Sequence, residues 1–240
     1  MPRALQEKST PEQIRARFDV DVERFSNLET GQSATVDAPL VLELLAQTAL
    51  AIMPKPKRFL DVGCGAGNNT LKILQGYSHI ACDLIDLSVP MLEWARERVS
   101  QATDAGVRTF EEDFRTAPLE DNAYDLIVAA AVLHHLRDEA DWEAAFAKLY
   151  RITAPGGALL VSDLVTHANP AVHALMWARY GQYLTNLGGE AYREKVFDYI
   201  DLEDSPRPLG FQMELLRRVG YREVEVLHKN SVFAAFYALK

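Results

Sequence analysis

The sequence has little cysteine, no long apolar run and no excess of positive charge. Its two cysteines, Cys64 and Cys82, are too few for a disulfide framework or a cysteine-rich metal site, which favours a reducing cytoplasm. No apolar run reaches the roughly 20 residues of a transmembrane helix, and residues 1–17 lack the apolar core of a signal peptide. We therefore expect a cytoplasmic protein with no membrane partner and no metal.

Acidic residues outnumber basic residues by 34 to 25, which gives a formal net charge of −9. Such a chain has no overall positive field to attract a phosphate backbone, so nucleic acid is not an expected partner. Apolar residues make up 48% and charged residues 25%, as in ordinary globular proteins, and 240 residues suffice for one α/β domain with additions. The oligomeric state stays open, with a homodimer among the alternatives.

The most specific local pattern is a glycine-rich turn that follows the apolar run at residues 58–62. Glycines at 63, 65 and 67 predict a buried strand, a tight turn and then a helix from Asn68 to Leu74. Glycine suits such a turn because it adopts positive φ, and because a missing Cβ lets a cofactor lie against the backbone. The dinucleotide fingerprint needs its third glycine at position 68, where asparagine stands, so an NAD-linked oxidoreductase is the weakest interpretation.

Short apolar runs alternate with helical patterns after this turn, which is typical of a parallel sheet covered by helices on both faces. The last two strands are expected to form a hairpin that turns at Lys229-Asn230. The predicted strands span residues 58–62, 79–86, 107–110, 124–130, 158–165, 223–228 and 231–239. The predicted helices span residues 10–28, as one helix or two short pieces, 37–52, 68–74, 87–99, 139–152 and 212–219.

Two further segments flank or interrupt this core. Prolines at 54 and 56 separate an N-terminal helical extension, residues 1–57, from a core at residues 58–240. Residues 166–209 are too many for an ordinary loop, so we expect a helical cap over the cofactor site. The alternative is that the aromatic residues of this insertion pack a small core of their own. These aromatics are Trp177, Tyr180, Tyr183, Tyr192, Phe197 and Tyr199.

Asp61, two residues before the first glycine, completes the pattern D-x-G-x-G-x-G, which resembles motif I of the class I S-adenosylmethionine (SAM) dependent methyltransferases. The predicted element order, with its C-terminal hairpin, is similar to that family over residues 58–240. The resemblance implies a Rossmann-like α/β fold with a seven-stranded, mostly parallel sheet, SAM as cofactor and S-adenosylhomocysteine as product. The cofactor-binding residues it implies are Asp61, Gly63, Cys64, Gly65, Gly67, Asp86, Leu87, Met91, Asp113, Phe114 and Ala130.

Individual roles follow from the same resemblance. Asp86 at the end of the second strand is expected to accept hydrogen bonds from the ribose, because two vicinal hydroxyls suit one carboxylate. Asp83 is the rival, and Asp86 is preferred because its Asp-Leu-Ser context, followed by Met-Leu, is family-like. Asp113 is expected to accept from the adenine amino group while Phe114 lies against the ring. Pro155-Gly156-Gly157 before the fifth strand also matches the family.

The implied reaction needs mainly positioning, because the sulfonium of SAM is already an electrophile. A proton acceptor matters if the accepting atom belongs to a hydroxyl, an ammonium or an acidic carbon. His134 and His135 follow the fourth strand, where the family meets its substrate, so one of them is a candidate catalytic base. The alternative is that one histidine packs structurally and the other lines the cofactor cleft. Asp163 is a weaker candidate.

The leading functional hypothesis is methyl transfer from SAM to a small-molecule acceptor. A second hypothesis is carboxy-SAM synthesis, because the segments 215–221 and 233–236 look similar to carboxy-SAM synthases, which make the carboxylated cofactor used in tRNA wobble-uridine modification. Arg193 and Lys195 lie near the region of that family's carboxylate-binding arginine, but neither matches its pattern. The third hypothesis is a non-catalytic SAM-binding partner subunit.

Overall fold

The computed structural model describes residues 3–20, 22, 26, 27, 32–77 and 79–240. Its strands are β1 (Arg58–Val62), β2 (Ala81–Asp86), β3 (Val107–Glu111), β4 (Tyr124–Ala130), β5 (Thr153–Leu164), β6 (Glu223–Asn230) and β7 (Phe233–Leu239). They form one sheet in the order β3-β2-β1-β4-β5-β7-β6. The first five strands run parallel, whereas β7 is antiparallel to both β5 and β6. The predicted seven-stranded α/β fold with its C-terminal hairpin is confirmed.

Helices cover both faces of this sheet. They are α1 (Pro11–Asp19), α2 (Ala38–Ile52), α3 (Asn68–Leu74), α4 (Val89–Ser100), α5 (Glu139–Ile152), α6 (Pro170–Glu203) and α7 (Leu209–Val219). Side-chain oxygens of Thr10, Ser88 and Asp138 accept backbone hydrogen bonds at the starts of α1, α4 and α5. Such caps satisfy N–H groups that a helix cannot pair by itself, so these polar residues fix where the helices begin.

The apolar core lies in two layers, one on each face of the sheet. On one face α5 and α7 bury Trp142, Phe146 and Leu216, and on the other face α2 and α3 bury Leu45 and Ile73. Each fully buried side chain of this kind contributes about 1.5–3 kcal/mol relative to its exposed state. Because the first five strands run parallel, their carboxyl ends lie at one common edge of the sheet, and the helices on both faces hold β1 and β4 in place.

Several predicted boundaries differ from those in the structure. The hairpin turns at Ser231-Val232 and not at Lys229-Asn230, because β6 stays paired through Asn230 and Ser231 takes up the positive φ of 50°. Strand β5 begins at Thr153, so the Pro-Gly-Gly sequence lies inside it, beside a register shift against β4. Strand β2 begins at Ala81, two residues later than predicted.

The N-terminal segment docks on the end of the long insertion helix. Helix α1 ends at Asp19, and residues 22 and 26 are helical again, in keeping with the prediction of one helix or two short pieces over residues 10–28; residues 21, 23–25 and 28 lie outside the described part of the chain. Arg17 forms an ion pair with Glu203 at 2.7 Å, and the Ser9 amide donates to the Leu202 carbonyl at 3.0 Å. These contacts bring α1 and α6 together above the carboxyl ends of the strands.

Helix α6 is 34 residues long and is interrupted at Gly189, where φ is 83° and ψ is 178°. A residue with a side chain rarely adopts that conformation, so glycine allows the chain to break the helix and continue. Among the helices of the described residues, none combines the length and the apolar character needed to cross a membrane.

Candidate active site

A cavity of about 740 Å³ opens at the carboxyl ends of β1, β2 and β4. Strands β1 and β4 are neighbours in the sheet, and the chain leaves them towards opposite sides. Ligands of open α/β sheets bind at such a switch point, outside the carboxyl ends of the strands. Helices α1, α2 and α6 contribute the opposite wall. The volume falls within the range of roughly 300–1,000 Å³ that small-molecule sites occupy.

The glycine turn forms the floor of the cavity. Gly63 has φ of +66°, and a Cβ there would lie 2.6 Å from the Val132 side chain, so tight packing demands glycine. Gly65 has φ of +49°, and no atom of the described residues lies within 4 Å of a Cβ placed on it. Gly63, Cys64 and Gly65 line the cavity, whereas Gly67 caps α3 behind it. Position 65 therefore leaves open space where a ligand can approach the backbone.

Asp86 stands at the end of β2 and lines the cavity. One carboxylate oxygen accepts from the Gly65 amide at 2.8 Å, and the other accepts from the Ser88 amide at 2.9 Å. Removal from bulk water raises the pKa of Asp86 above its ordinary value. The two amides fix the carboxylate, and each oxygen keeps a lone pair for a ligand hydroxyl. Leu87 and Met91 line the same wall.

Two acids near the glycine turn do not line the cavity. Asp61 is fully buried, and one of its oxygens accepts from the Thr70 hydroxyl at 2.6 Å. Its other oxygen has no hydrogen-bond partner among the described residues, and burial raises the pKa of Asp61 to about 7. Asp83 faces away and is paired with Arg58 at 3.1 Å and Arg108 at 2.6 Å.

Asp113 and Phe114 lie beyond β3 and line the cavity, as does Ala130 at the end of β4. The Arg115 guanidinium donates to both oxygens of Asp113, with Nε at 3.0 Å from each. Burial alone would raise the pKa of Asp113, but the hydrogen bonds from Arg115 hold it below the ordinary value. Arg115 also binds Asp141 at 2.6 Å, so Asp113 is kept ionised and in a fixed position.

The histidine pair lies in a short 3₁₀ helix, Leu133–His135, that follows β4. The Nδ1 atom of His134 forms a short hydrogen bond with Asp163 of β5, whose carboxylate also accepts from the Leu133 amide at 2.7 Å. His135 lines the cavity, with its ring centroid 6.3 Å from that of Phe18 in α1. The predicted candidates His134, His135 and Asp163 therefore lie together on the cavity wall.

Asp204, which follows α6, belongs to the same cluster, although it was not among the predicted site residues. Its Oδ1 atom lies 3.6 Å from His134 Nε2 and 3.3 Å from His135 Nδ1. Burial alone would raise the pKa of Asp204, but His134 and His135 hold it below the ordinary value. Burial alone would lower the pKa of His134, but Asp163 and Asp204 raise it to about 9. No local motif marks Asp204, because only the docking of α6 brings it here.

The aromatic residues of the insertion take part in the cavity wall and in an apolar cluster behind it. Tyr180, Tyr192 and Tyr199 line the cavity. Trp177 and Phe197 pack against each other, with ring centroids 5.2 Å apart, in an apolar cluster that also contains Leu164 and Val232. The insertion therefore packs against the strands of the core and does not form a core by itself.

Comparison with known proteins identifies relatives of this chain. Residues 59–157 match a family model described as a methyltransferase domain. The chain is 36% identical over 187 residues to trans-aconitate 2-methyltransferase from Variovorax paradoxus, covering 76% of this chain and 65% of that protein. It is 33% identical over 140 residues to demethylmenaquinone methyltransferase from Thermus thermophilus, covering 58% of this chain and 62% of that protein. The chain thus spans less than two thirds of the length of either relative.

Among solved structures, the fold is similar to that of Haemonchus contortus phosphoethanolamine N-methyltransferase 2 in complex with phosphomonomethylethanolamine and S-adenosylhomocysteine. The TM-score is 0.67 at 17% identity, and the match covers 97% of this chain and 60% of that one. Residues 59–157 thus match a methyltransferase domain, the two relatives are methyltransferases by name, and the fold is similar to that of a solved methyltransferase.

Proposed function

We propose that this protein is a transferase that moves a methyl group from SAM to a small-molecule acceptor. One observation carries the proposal. A single cavity joins a cofactor half, built on Gly65 and Asp86, to an acceptor half that contains His134, His135 and Asp204. A methyltransferase needs this continuity, because the methyl donor and the acceptor must meet in one enclosed space.

The residues of the cofactor half fit SAM. The open space above Gly65 accepts a ligand against the backbone, and the fixed Asp86 carboxylate can accept from two vicinal hydroxyls. Asp113 offers an ionised acceptor for an adenine amino group, with Phe114 beside it as an apolar surface.

When bound, SAM supplies an activated methyl group, and the protein positions the acceptor and excludes water. Helices α1 and α6 cover the acceptor half through the Arg17–Glu203 ion pair and the contact of Phe18 with His135. His134 is fixed between Asp163 and Asp204, so we assign it a positioning role. His135 lines the cavity and is our candidate to take a proton from the acceptor.

The acceptor is proposed to be a small molecule with an ionisable atom. The relatives named above act, by their names, on trans-aconitate and on demethylmenaquinone, and the tyrosine-lined wall suits an organic acceptor of such size.

Carboxy-SAM synthesis and a non-catalytic role are not favoured. Of the two basic residues considered for a carboxylated cofactor, Lys195 lines the cavity, whereas Arg193 pairs with Glu194 at 3.6 Å.

Other parts of the proposal rest on the sequence. We propose a cytoplasmic location, which the two buried, unpaired cysteines fit. We also propose that residues 1–57 form an extension, residues 58–240 the methyltransferase core and residues 166–209 its cap.

The test begins with the cofactor. Calorimetry should detect binding of SAM and S-adenosylhomocysteine but not of NADH, and failure to bind either SAM or its product refutes the proposal. Transfer of labelled methyl from SAM is then measured with a panel that includes trans-aconitate and a demethylated quinol. His135→Ala should lower transfer at least tenfold while SAM binding persists. His79→Ala, an exposed histidine paired with Asp104 outside the cavity, is the matched control.

A further inference from the structure

Two buried polar atoms in the acceptor half have no hydrogen-bond partner among the described residues. They are His135 Nδ1 and Asp204 Oδ1, which lie 3.3 Å apart, at ion-pair distance but without the geometry of a well-formed hydrogen bond. Asp204 is only 5% exposed. A buried polar atom without a good hydrogen bond typically costs about 1–3 kcal/mol, more when it is charged, so a ligand bound by both atoms would stabilise this arrangement.

A third donor atom points to the same place. His134 Nε2 lies 3.6 Å from Asp204 Oδ1, and the three atoms of His134, His135 and Asp204 all fall within 4.8 Å of one another. Asp163 binds the opposite ring nitrogen of His134. A carboxylate that holds the far nitrogen of a histidine fixes the ring and its tautomer, which is the usual support for a metal-binding imidazole.

We propose that His134 Nε2, His135 Nδ1 and Asp204 Oδ1 bind a divalent transition metal ion of the zinc class. Ligand atoms about 2.0–2.2 Å from a tetrahedral zinc lie roughly 3.3–3.6 Å from each other, and the two measured separations from Asp204 are 3.3 and 3.6 Å. Two imidazoles with one carboxylate suit zinc or its neighbours better than magnesium or calcium, which prefer oxygen ligands alone. This proposal replaces our expectation of no metal, which rested on the cysteine count.

The position of the three ligands indicates that the metal would take part in catalysis. Three protein ligands leave a coordination position open, as in catalytic zinc sites, and all three residues line the cavity. If the proposed methyl transfer is correct, the acceptor would fill that position through an oxygen or sulfur atom. A metal lowers the pKa of such a group, so its proton would leave to solvent and the bare atom would attack the methyl carbon. With the metal bound, His135 would hold the ion instead of taking the proton.

The competing occupant of the cluster is a proton. A proton on His134 Nε2 and a metal on the same atom exclude each other, because only the neutral ring has a lone pair to offer. A protonated His134 between two carboxylates would make the cluster a fixed ion pair with no metal function. That arrangement leaves His135 Nδ1 with only its 3.3 Å contact to Asp204, whereas a metal would bind this nitrogen directly.

The test uses Co²⁺ as a spectroscopic substitute for zinc. Full-length protein is freed of metal with a chelator and titrated with Co²⁺ near pH 8 without SAM, while its visible absorption is recorded. We expect tetrahedral d–d bands that saturate at one ion per chain and disappear when Zn²⁺ is added. His135→Ala and Asp204→Asn should weaken Co²⁺ binding at least tenfold, whereas the exposed control His79→Ala should leave it unchanged.

Two outcomes overturn the proposal: no d–d bands with the wild-type protein, or bands of equal strength in His135→Ala. His135 is the decisive position, because its side chain is 18% exposed and its loss leaves the buried Asp163–His134 pair in place. Calorimetry with SAM on the same samples separates the two proposals. SAM binding without Co²⁺ binding refutes only the metal site. Co²⁺ binding without SAM binding refutes the methyltransferase function and supports the metal site.

Discussion

The glycines at 63 and 65 have the same sign of φ but different surroundings, so alanine at each should have a different effect. At Gly63 the added methyl would lie 2.6 Å from Val132, inside a packed part of the turn. At Gly65 the methyl would meet no atom of the described part of the protein within 4 Å and would stand in the cavity. We predict that Gly63→Ala loses stability and that Gly65→Ala loses cofactor.

The magnitudes follow from these two geometries. A residue with a side chain in the left-handed region costs about 1–2 kcal/mol, which applies to both substitutions. Overpacking at Gly63 adds about 1–3 kcal/mol, so Gly63→Ala should lower the free energy of unfolding by roughly 2–5 kcal/mol. Domains of this kind are stable by only about 5–15 kcal/mol, so Gly63→Ala should be marginal or insoluble at physiological temperature.

Gly65→Ala should remain folded and lose affinity for SAM. Its methyl would occupy the space where the cofactor is proposed to meet the backbone, so we expect the Kd to rise at least tenfold, which corresponds to about 1.4 kcal/mol. Gly156→Ala is the matched control. It also has positive φ, at +76°, with open space around a Cβ, and it is not among the residues that line the cavity.

Urea unfolding gives the stability of the three variants, and calorimetry with SAM gives their affinity. The reasoning fails if Gly65→Ala binds SAM as tightly as Gly156→Ala does, because the cofactor would then not lie on the turn. It also fails if Gly63→Ala is as stable as Gly156→Ala, because the Val132 contact would then impose no constraint.

Three further predictions concern the acids around the turn. Asp86→Asn should weaken SAM binding by roughly 1.5–3 kcal/mol, the contribution of hydrogen bonds to a charged group, with unfolding free energy as the control measurement. Asp83→Asn should instead cost about 3–5 kcal/mol of stability, because it breaks a buried ion pair with Arg58, and the urea midpoint would show it while SAM binding to the folded fraction stays unchanged. Burial raises the pKa of Asp61 to about 7, so its contribution to stability is complete below pH 4 and is lost as pH rises through 7. Asp61→Asn should therefore flatten the fall in unfolding free energy between pH 4 and 7, by up to about 1.4 kcal/mol per pH unit, and an unchanged slope would contradict that pKa.

The cofactor half of the cavity could be anticipated from sequence because its residues are contiguous or spaced by one strand and one helix. Asp86 follows Gly65 by one such unit, and parallel pairing of β1 with β2 brings them together. The same logic could not tell which face of β1 Asp61 occupies. In the structure the Asp61 side chain points towards Thr70 and away from the cavity, so its hydrogen bond stabilises the turn from inside the protein.

The acceptor half was harder to predict from the sequence, because its residues come together only when distant segments of the chain pack against each other. His135 belongs to the turn after β4, Phe18 to the N-terminal helix and Asp204 to the end of the insertion. No pattern of spacing joins three such segments. The boundary errors at the hairpin and at β5 have a similar cause, since pairing between strands decides both: β6 stays paired with β7 through Asn230, and Thr153 at the start of β5 pairs with Tyr124 of β4.

The assembly of the acceptor half depends on backbone contacts that fix the end of α6. The Ser205 amide donates to the His134 carbonyl at 2.7 Å, which sets Asp204 beside the histidine pair. The Lys8 ammonium donates to the Asp204 carbonyl at 2.6 Å, and Arg137 bonds both to the Glu203 carbonyl and to the N-terminal segment. The polar cluster is therefore complete only when the N-terminal segment, the turn after β4 and the insertion are docked together. If the acceptor binds between these segments as proposed, its identity depends on their packing more than on the glycine motif, whose proposed ligand is the cofactor.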